Sequence, residues 1–250
     1  VATLRYGLSR IRSRSLIRLG VGTAEHHHQE LYLGRRLRLG GDDMVGMDVG
    51  VAHSAAAGTV ADGDHRFYRF SGRVQLQSSA GQTEILVGYQ RKFFGWRYLY
   101  ALKSLHEAVG SSGAETETLT SLLVLANHRR DYARGFVEAT VYYRRHVDDY
   151  ELDRRKPGLF NPYEHETRVG ALGLAGRHDW GVVALRYGAQ ATFDQLESTA
   201  LTHGDFRSRS YLKGSLLLER ELRLGPLALL LRGVAAVDWS SRDEAALSPL

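Results

Sequence analysis

The sequence contains no cysteine, no long apolar run and no block of like charge. The first absence excludes a disulfide framework and any thiolate metal site. The second excludes a membrane helix, which needs roughly 18 consecutive apolar residues. The third bears on partners. A formal net charge of +5 would permit nucleic-acid binding, but the Lys and Arg residues are spread along the whole chain, so no nucleic-acid partner is expected. Neither a GxSxG elbow nor an HExxH zinc motif occurs. The start, "VATLRYGLSR", has no initiator Met and no apolar leader core, and "DEAALSPL" closes without a recognisable ending. The chain therefore reads as a piece of something longer. A mean hydropathy on the polar side of zero does not exclude a membrane barrel, whose apolar residues are diluted by alternation.

Alternation is what the sequence does contain. In "QELYLGRRLRLG", Leu31, Leu33, Leu37 and Leu39 fall on one face, with Glu30, Tyr32, Arg36 and Arg38 on the other. The same period of two recurs in Val45–Val51, in Tyr68–Leu76, in Ile85–Tyr89 and in Val137–Tyr143. It returns in Val183–Ala189, in Leu212–Leu218 and in "LALLLRGVAAVDW". Each stretch predicts a strand with one apolar face. "TLTSLLVLANH" and "ETRVGALGLAG" are apolar in both phases, and "TLRYGLS" is a weak first strand. Helical periodicity fits nowhere over more than two turns. The count is eleven or twelve strands of about ten residues.

The predicted connections alternate in length. Short ones fall at 40–43, 79–82, 129–135, 177–180 and 223–226, and long ones near 53–66, 91–116, 148–164 and 192–208. A soluble sandwich has no reason to collect its long loops at one end, whereas an outer-membrane barrel does. Ten to twelve residues at about 3.3 Å each, tilted by about 40°, cross an apolar band roughly 25 Å tall. The predicted fold is all-β: an antiparallel meander of long strands, one partial barrel domain over residues 1–250. Val137, Ala139, Val141 and Tyr143 would meet lipid, and Glu138, Thr140, Tyr142 and Arg144 a wet lumen. Arg35 falls on the lipid face, which predicts a β-bulge or a shifted register there. Arg145, on the same face as Tyr143, is expected at the rim. A soluble β-sheet protein is the alternative.

Four segments, "LVGYQRKFFGWRYLYA", "LLVLANHRRDY", "VEATVYYRRHVDDYEL" and "LFNPYEHETRVGALGLAGRHDWG", resemble the barrel of TonB-dependent receptors, most of all the cobalamin-receptor-like group. The resemblance covers about residues 84 to 182. It implies a barrel of 22 strands around an N-terminal plug, uptake of a scarce nutrient such as an iron chelate or cobalamin, and energy supplied through TonB. This sequence has no recognisable plug or TonB box, so it would hold about half of such a barrel and reach the TonB complex only through the missing plug. The expected location is the outer membrane of a Gram-negative bacterium, in contact with lipid and lipopolysaccharide. A complete small porin-like barrel of about twelve strands, with or without hydrolase activity, is the other membrane reading.

"KFFGWRYLY" places Phe93, Phe94, Trp96, Tyr98 and Tyr100 at the start of the longest loop. Five aromatics there suit a ring-bearing ligand, and equally an interfacial girdle or loop packing. The triplet His26–His28 can offer at most two imidazoles to one side, a weak metal site. Asp148, Asp149 and Asp153 suit calcium by ligand type, yet Arg144, Arg145, Arg154 and Arg155 lie close by and would pair with them. Those arginines would also suit lipopolysaccharide phosphates. His146, His165 and His203 sit near loops without a partnering nucleophile. No enzyme, no cofactor and no resident metal is expected.

Overall fold

The alternation becomes a single meander in which every strand bonds to its neighbours in chain order. The computed structural model describes residues 10–158, 163–181, 183–199, 208–224, 227–241 and 243–248. The strands are β1 (Arg14–Val21), β2 (His27–Gly40), β3 (Asp43–Ala56), β4 (His65–Ser78), β5 (Gly81–Arg97), β6 (Ala114–Tyr132), β7 (Gly135–Glu151), β8 (Tyr163–Asp179), β9 (Ala184–Ser198), β10 (Ser208–Leu224), β11 (Leu227–Ser240) and β12 (Asp243–Ser248). One short helix, α1 (Lys103–Val109), lies between β5 and β6. The two segments apolar in both phases are β6 and β8. The weak strand expected at 3–9 lies outside the described residues, and β1 forms further on.

Most strands are longer than expected, up to 19 residues in β6. They consume the ends of the long connections: 91–116 shrinks to 98–113, and 53–66 to 57–64. The alternation of short and long connections is otherwise as the sequence predicts.

The sheet has two distinct faces. Thr140, Gly173, Gln190, Lys213 and Asp238 are successive register partners across β7 to β11. All five line one cavity of about 650 Å³, so five strands curve around it and this face is concave. The opposite parity is convex, as in the register line Val51–Phe70–Tyr89–Leu122 across β3 to β6. Its apolar side chains are open to the surroundings: Val141 is 49% exposed and Leu172 59%. Among the described residues only Ile11, Ala114 and Ala171 are buried apolar side chains. A soluble sandwich would put its leucines and valines between two layers; here they face outward.

Aromatic side chains bound the apolar band above and below. Tyr68, Phe70, Tyr89, Tyr143, Phe193 and Trp239 stand exposed on the convex face toward the long loops. Tyr132, His178, Trp180 and Tyr187 cluster at the short-turn end, with the His178 ring stacked on those of Trp180 and Tyr187. Tyr132 is opposite Gly135, so the band on β7 runs from Gly135 to Tyr143. Eight residues at about 3.3 Å give roughly 26 Å along the strand and about 20 Å in height after tilting. β7 continues to Glu151, so the wall stands as far again above the upper collar.

Arg35 needs neither a bulge nor a new register. Pairing of β2 with β3 is unbroken from His27 to Arg38 and shifts only between Arg38 and Gly40. Arg35 therefore shares the convex face with Leu33 and Leu37, and its guanidinium donates to the Gly34 carbonyl at 3.1 Å. Gly40 ends the strand five residues later, close enough for a long side chain to reach the rim. Arg145 lies just above Tyr143 and grips Glu166 through two hydrogen bonds of 2.8 and 2.7 Å.

Among the described residues β1 and β12 do not pair with each other, so the sheet is open. The segment before β1 turns onto the concave face. Ile11 is fully buried there, and its N–H donates to Gln75 Oε1 at 3.2 Å. Gly46 makes room for it, since a Cβ at that position would lie 2.9 Å from the Ile11 side chain.

Candidate functional site: the concave wall under the loop crown

β5 separates the five predicted aromatics by simple alternation. Phe93 lies on the convex face opposite Arg66, whereas Phe94 lies on the concave face opposite His65 and Glu117. Trp96, opposite Glu115, follows Phe94 on the concave side and is 51% exposed. Tyr98 leaves the sheet with a left-handed φ of 56°. Its N–H donates to Gly113 at 3.0 Å, and its ring lies 5.2 Å from that of His106. Tyr100 donates its hydroxyl to Glu117 at 2.5 Å. Phe94, Trp96 and Tyr100 are thus brought to one wall; Phe93 is on the other side, and Tyr98 packs the loop.

The loop between β5 and β6 is held down by a buried polar network. Glu115 is fully buried and accepts from the Tyr100 N–H at 2.8 Å, the Ala101 N–H at 3.1 Å and the Tyr150 hydroxyl at 2.7 Å. His106, from α1, completes the set with Nε2 at 2.8 Å from Glu115. On the other side of the loop Asp153 accepts from the Ser112 N–H at 2.6 Å, the Ser112 hydroxyl at 2.7 Å and the Arg155 N–H at 3.0 Å. Burial works to raise the Asp153 carboxyl, but these donors outweigh it and hold it below its ordinary value. The loop between β3 and β4 is tied in by Asp62, which meets Arg97, Arg154 and Arg155 at 3.2, 3.2 and 2.7 Å. Burial again opposes ionisation, and the arginines again win, so Asp62 is also depressed. The hydrogen bond to Glu117 raises the Tyr100 hydroxyl to about 12, with burial adding to the effect.

Below this crown the concave wall carries rings and cations. Tyr100, Tyr150, Tyr163 and His165 form a ladder with ring centroids 5.5, 6.0 and 6.5 Å apart. Arg69, Gln90, Ser121 and His146 follow one another in register across β4 to β7. Lys92 lies over the Phe67 ring at 5.9 Å. Lys92 and Arg144 have no carboxylate partner among the described residues, and Arg69 only a loose one, Glu30 at 3.8 Å. The wall can therefore offer flat apolar surface together with cations held in no close ion pair, beside the carboxylates of Glu117 and Asp148. Alternation places Arg144 at the lumen, as found here, but it does not single out Tyr150, Tyr163, Lys92 or Arg69, because alternation assigns a face and only register assigns neighbours.

The other sequence candidates do not converge. Asp148 and Asp149 are consecutive in β7 and point to opposite faces, while Asp153 is saturated by its own loop. No trio of metal-ligating side chains occurs among the described residues. His27 is in contact with His53 on the convex side, whereas His26 and His65 share the Ser54 hydroxyl, each at 3.4 Å. His146 and His165 hydrogen-bond to Ser121 and Ser198, and His203 lies outside the described residues. Of the rim arginines, Arg145, Arg154 and Arg155 are engaged by carboxylates, and Arg144 faces the concave side.

No family model matches the chain, and no curated protein matches it by sequence. Among solved structures it is similar to BauA, the ferric preacinetobactin receptor from Acinetobacter baumannii, with a TM-score of 0.58 at 11% identity. The match covers 95% of this chain and 44% of that receptor. Likeness at such low identity establishes architecture alone: the meander has the fold of part of a β-barrel wall. The chain spans less than half the length of the receptor it resembles.

Proposed function

We propose that this chain forms part of the barrel wall of a TonB-dependent receptor in a bacterial outer membrane. In this reading the convex band crosses the membrane, the strands rise beyond it, and the concave wall lines an outer vestibule. The vestibule captures a scarce nutrient, an iron chelate or a cobalamin-like compound, before a plug supplied elsewhere in the protein releases it under TonB control. The observation that carries the reading is the pairing of an outward apolar band with a ringed, cationic inner wall above it. Rings of Tyr100, Tyr150, Tyr163 and Trp96 suit a flat ligand, and Lys92, Arg69 and Arg144 suit an anionic one. No residue carries covalent chemistry, since capture needs binding alone.

The test uses the intact gene product purified in detergent and titrated with anionic ferric chelates and with cobalamin. Tryptophan fluorescence should be quenched on binding, and Lys92→Ala with Arg144→Ala should weaken affinity about tenfold or more, as expected for two lost charge-assisted contacts. Wild-type protein that is monodisperse in water without detergent, or unchanged binding in the double variant, would overturn the reading.

A further inference from the structure

Two imidazoles at the upper rim of the concave wall are arranged unlike the others. His106, His146 and His165 are each held by a serine hydroxyl through one ring nitrogen, at 2.9, 2.7 and 2.5 Å. His26 and His65 instead aim their Nε2 atoms at the same hydroxyl, that of Ser54, each from 3.4 Å. One hydroxyl has a single proton to give, and 3.4 Å is the outer limit of a hydrogen bond. Neither ring forms another hydrogen bond or an ion pair among the described residues, and their centroids are 6.1 Å apart.

The turn that presents His26 is costly to form. Ala24 and Glu25 are consecutive left-handed residues, with φ of 55° and 58°, and neither is glycine. Such residues persist only where their surroundings hold them. Here the Gly22 N–H donates to the His26 carbonyl and the Ala57 N–H to the Ala24 carbonyl, both at 2.8 Å. The second bond ties the turn to the end of β3, the strand that carries Ser54. Carboxylates in the neighbourhood are engaged elsewhere: Asp62 and Asp64 by Arg154, and Glu30 by Arg18.

We propose that His26 and His65 form a binding site for one divalent transition-metal ion, copper(II) before the others. Its use as a capture point rests on the vestibule reading above; the coordination itself does not. An imidazole nitrogen about 2.0–2.1 Å from a metal puts its ring centre roughly 3 Å from that metal. Two rings 6.1 Å apart therefore already have the span of one shared ion. No trio of metal-ligating side chains occurs among the described residues, so water completes the shell. That donor set does not suit calcium or magnesium, which take oxygen ligands, and it leaves a structural zinc site two ligands short. Copper(II) heads the affinity order for imidazole and accepts a tetragonal mixture of nitrogen and oxygen. The positions left to water keep the ion exchangeable, as a point of capture requires.

The intact gene product in detergent is titrated with copper(II) in a non-coordinating buffer, by calorimetry and by electron paramagnetic resonance at one equivalent of metal. Wild type should bind an ion whose spectrum shows two imidazole nitrogens. His26→Gln and His65→Gln should each weaken binding about tenfold or more, since even the outer partners of metal ligands are worth that much, and each should leave one nitrogen. Ser54→Ala should keep both nitrogens. His27→Gln/His53→Gln, which alters only the convex pair, should leave binding unchanged. An undiminished His26→Gln/His65→Gln double variant, or an equal loss in the His27→Gln/His53→Gln protein, would overturn the site. Heat-modifiable migration of the same samples tests the barrel separately. A heat-modifiable protein whose double variant still binds copper sinks the metal site alone; copper held by the pair in a protein that needs no detergent keeps the site and sinks the membrane placement.

Discussion

Glu115 and Asp153 illustrate what single side chains do in this molecule. Each is a buried carboxylate encircled by donors from a loop that has almost no apolar core of its own, so polar saturation stands in for hydrophobic packing. Gly113 belongs to the same arrangement: its φ of 74° is left-handed, and a Cβ there would fall 2.2 Å from the Tyr98 ring. Removing Asp153, itself buried, takes the acceptor from the half-buried hydrogen bonds of the Ser112 and Arg155 N–H groups. Asp153→Ala should therefore destabilise the crown locally by about 2–4 kcal/mol, seen as faster proteolysis between residues 98 and 113. The pH dependence follows from the same carboxyl. Its folded value is depressed, so its contribution is fully present above its ordinary value of 3.8 and is lost as pH falls through the lower folded value. Pepsin should cut the loop in wild type only on strong acidification, and in Asp153→Ala already at the mildest pH at which pepsin is active. Equal rates for the two proteins would refute this role for Asp153.

At the scale of elements, alternation made the strands legible. Val137 to Tyr143 alternate so regularly that the faces of β7 follow from the sequence alone. Strand length was less legible, because above the collar there is no apolar face to write a pattern; residues 148–151 extend β7 with Asp, Asp, Tyr and Glu. Helix α1 was hidden for a related reason. Its seven residues make about two turns, and the buried face it presents is one polar residue, His106. Among the candidate residues, Trp96 and Phe94 could be assigned to one side by counting, but the ladder from Tyr100 to His165 joins residues 65 positions apart and needs register. The band itself makes a quantitative prediction. Val141→Arg places a charge between the two collars and should cost about 2–4 kcal/mol in refolding into lipid vesicles. Arg35→Leu, nearer the rim, should be neutral or mildly stabilising. The reverse order of the two variants would mean that the convex face does not contact lipid.

For the whole molecule, the open sheet sets the behaviour of the chain on its own. Among the described residues ten strands have a neighbour on both sides, while β1 and β12 each bond to one, and β12 covers only the Ala236–Ser240 end of β11. In β1 the unpaired edge runs along Arg14 to Val21, between exposed Ile17, Leu19 and Val21 on the convex side and the concave interior. Unpaired backbone groups are costly in lipid and act as templates for further pairing in water. A wall of this kind gains most by finding another strand, and a second copy of the same chain offers two. The 250-residue chain refolded alone in detergent should therefore elute as dimers and larger species by light scattering, with oligomer content rising with protein concentration. Gly22 donates to His26, so the even-numbered residues of β1 bond to β2 and the odd-numbered ones carry the free edge donors. Replacing Ile17 with Pro removes one of these and bends the strand, so Ile17→Pro should shift the distribution toward monomer while leaving the interior strands protected from hydrogen exchange. A wild-type chain that stays monomeric across the concentration range would mean that its edges close on each other, and that these twelve strands make a barrel by themselves.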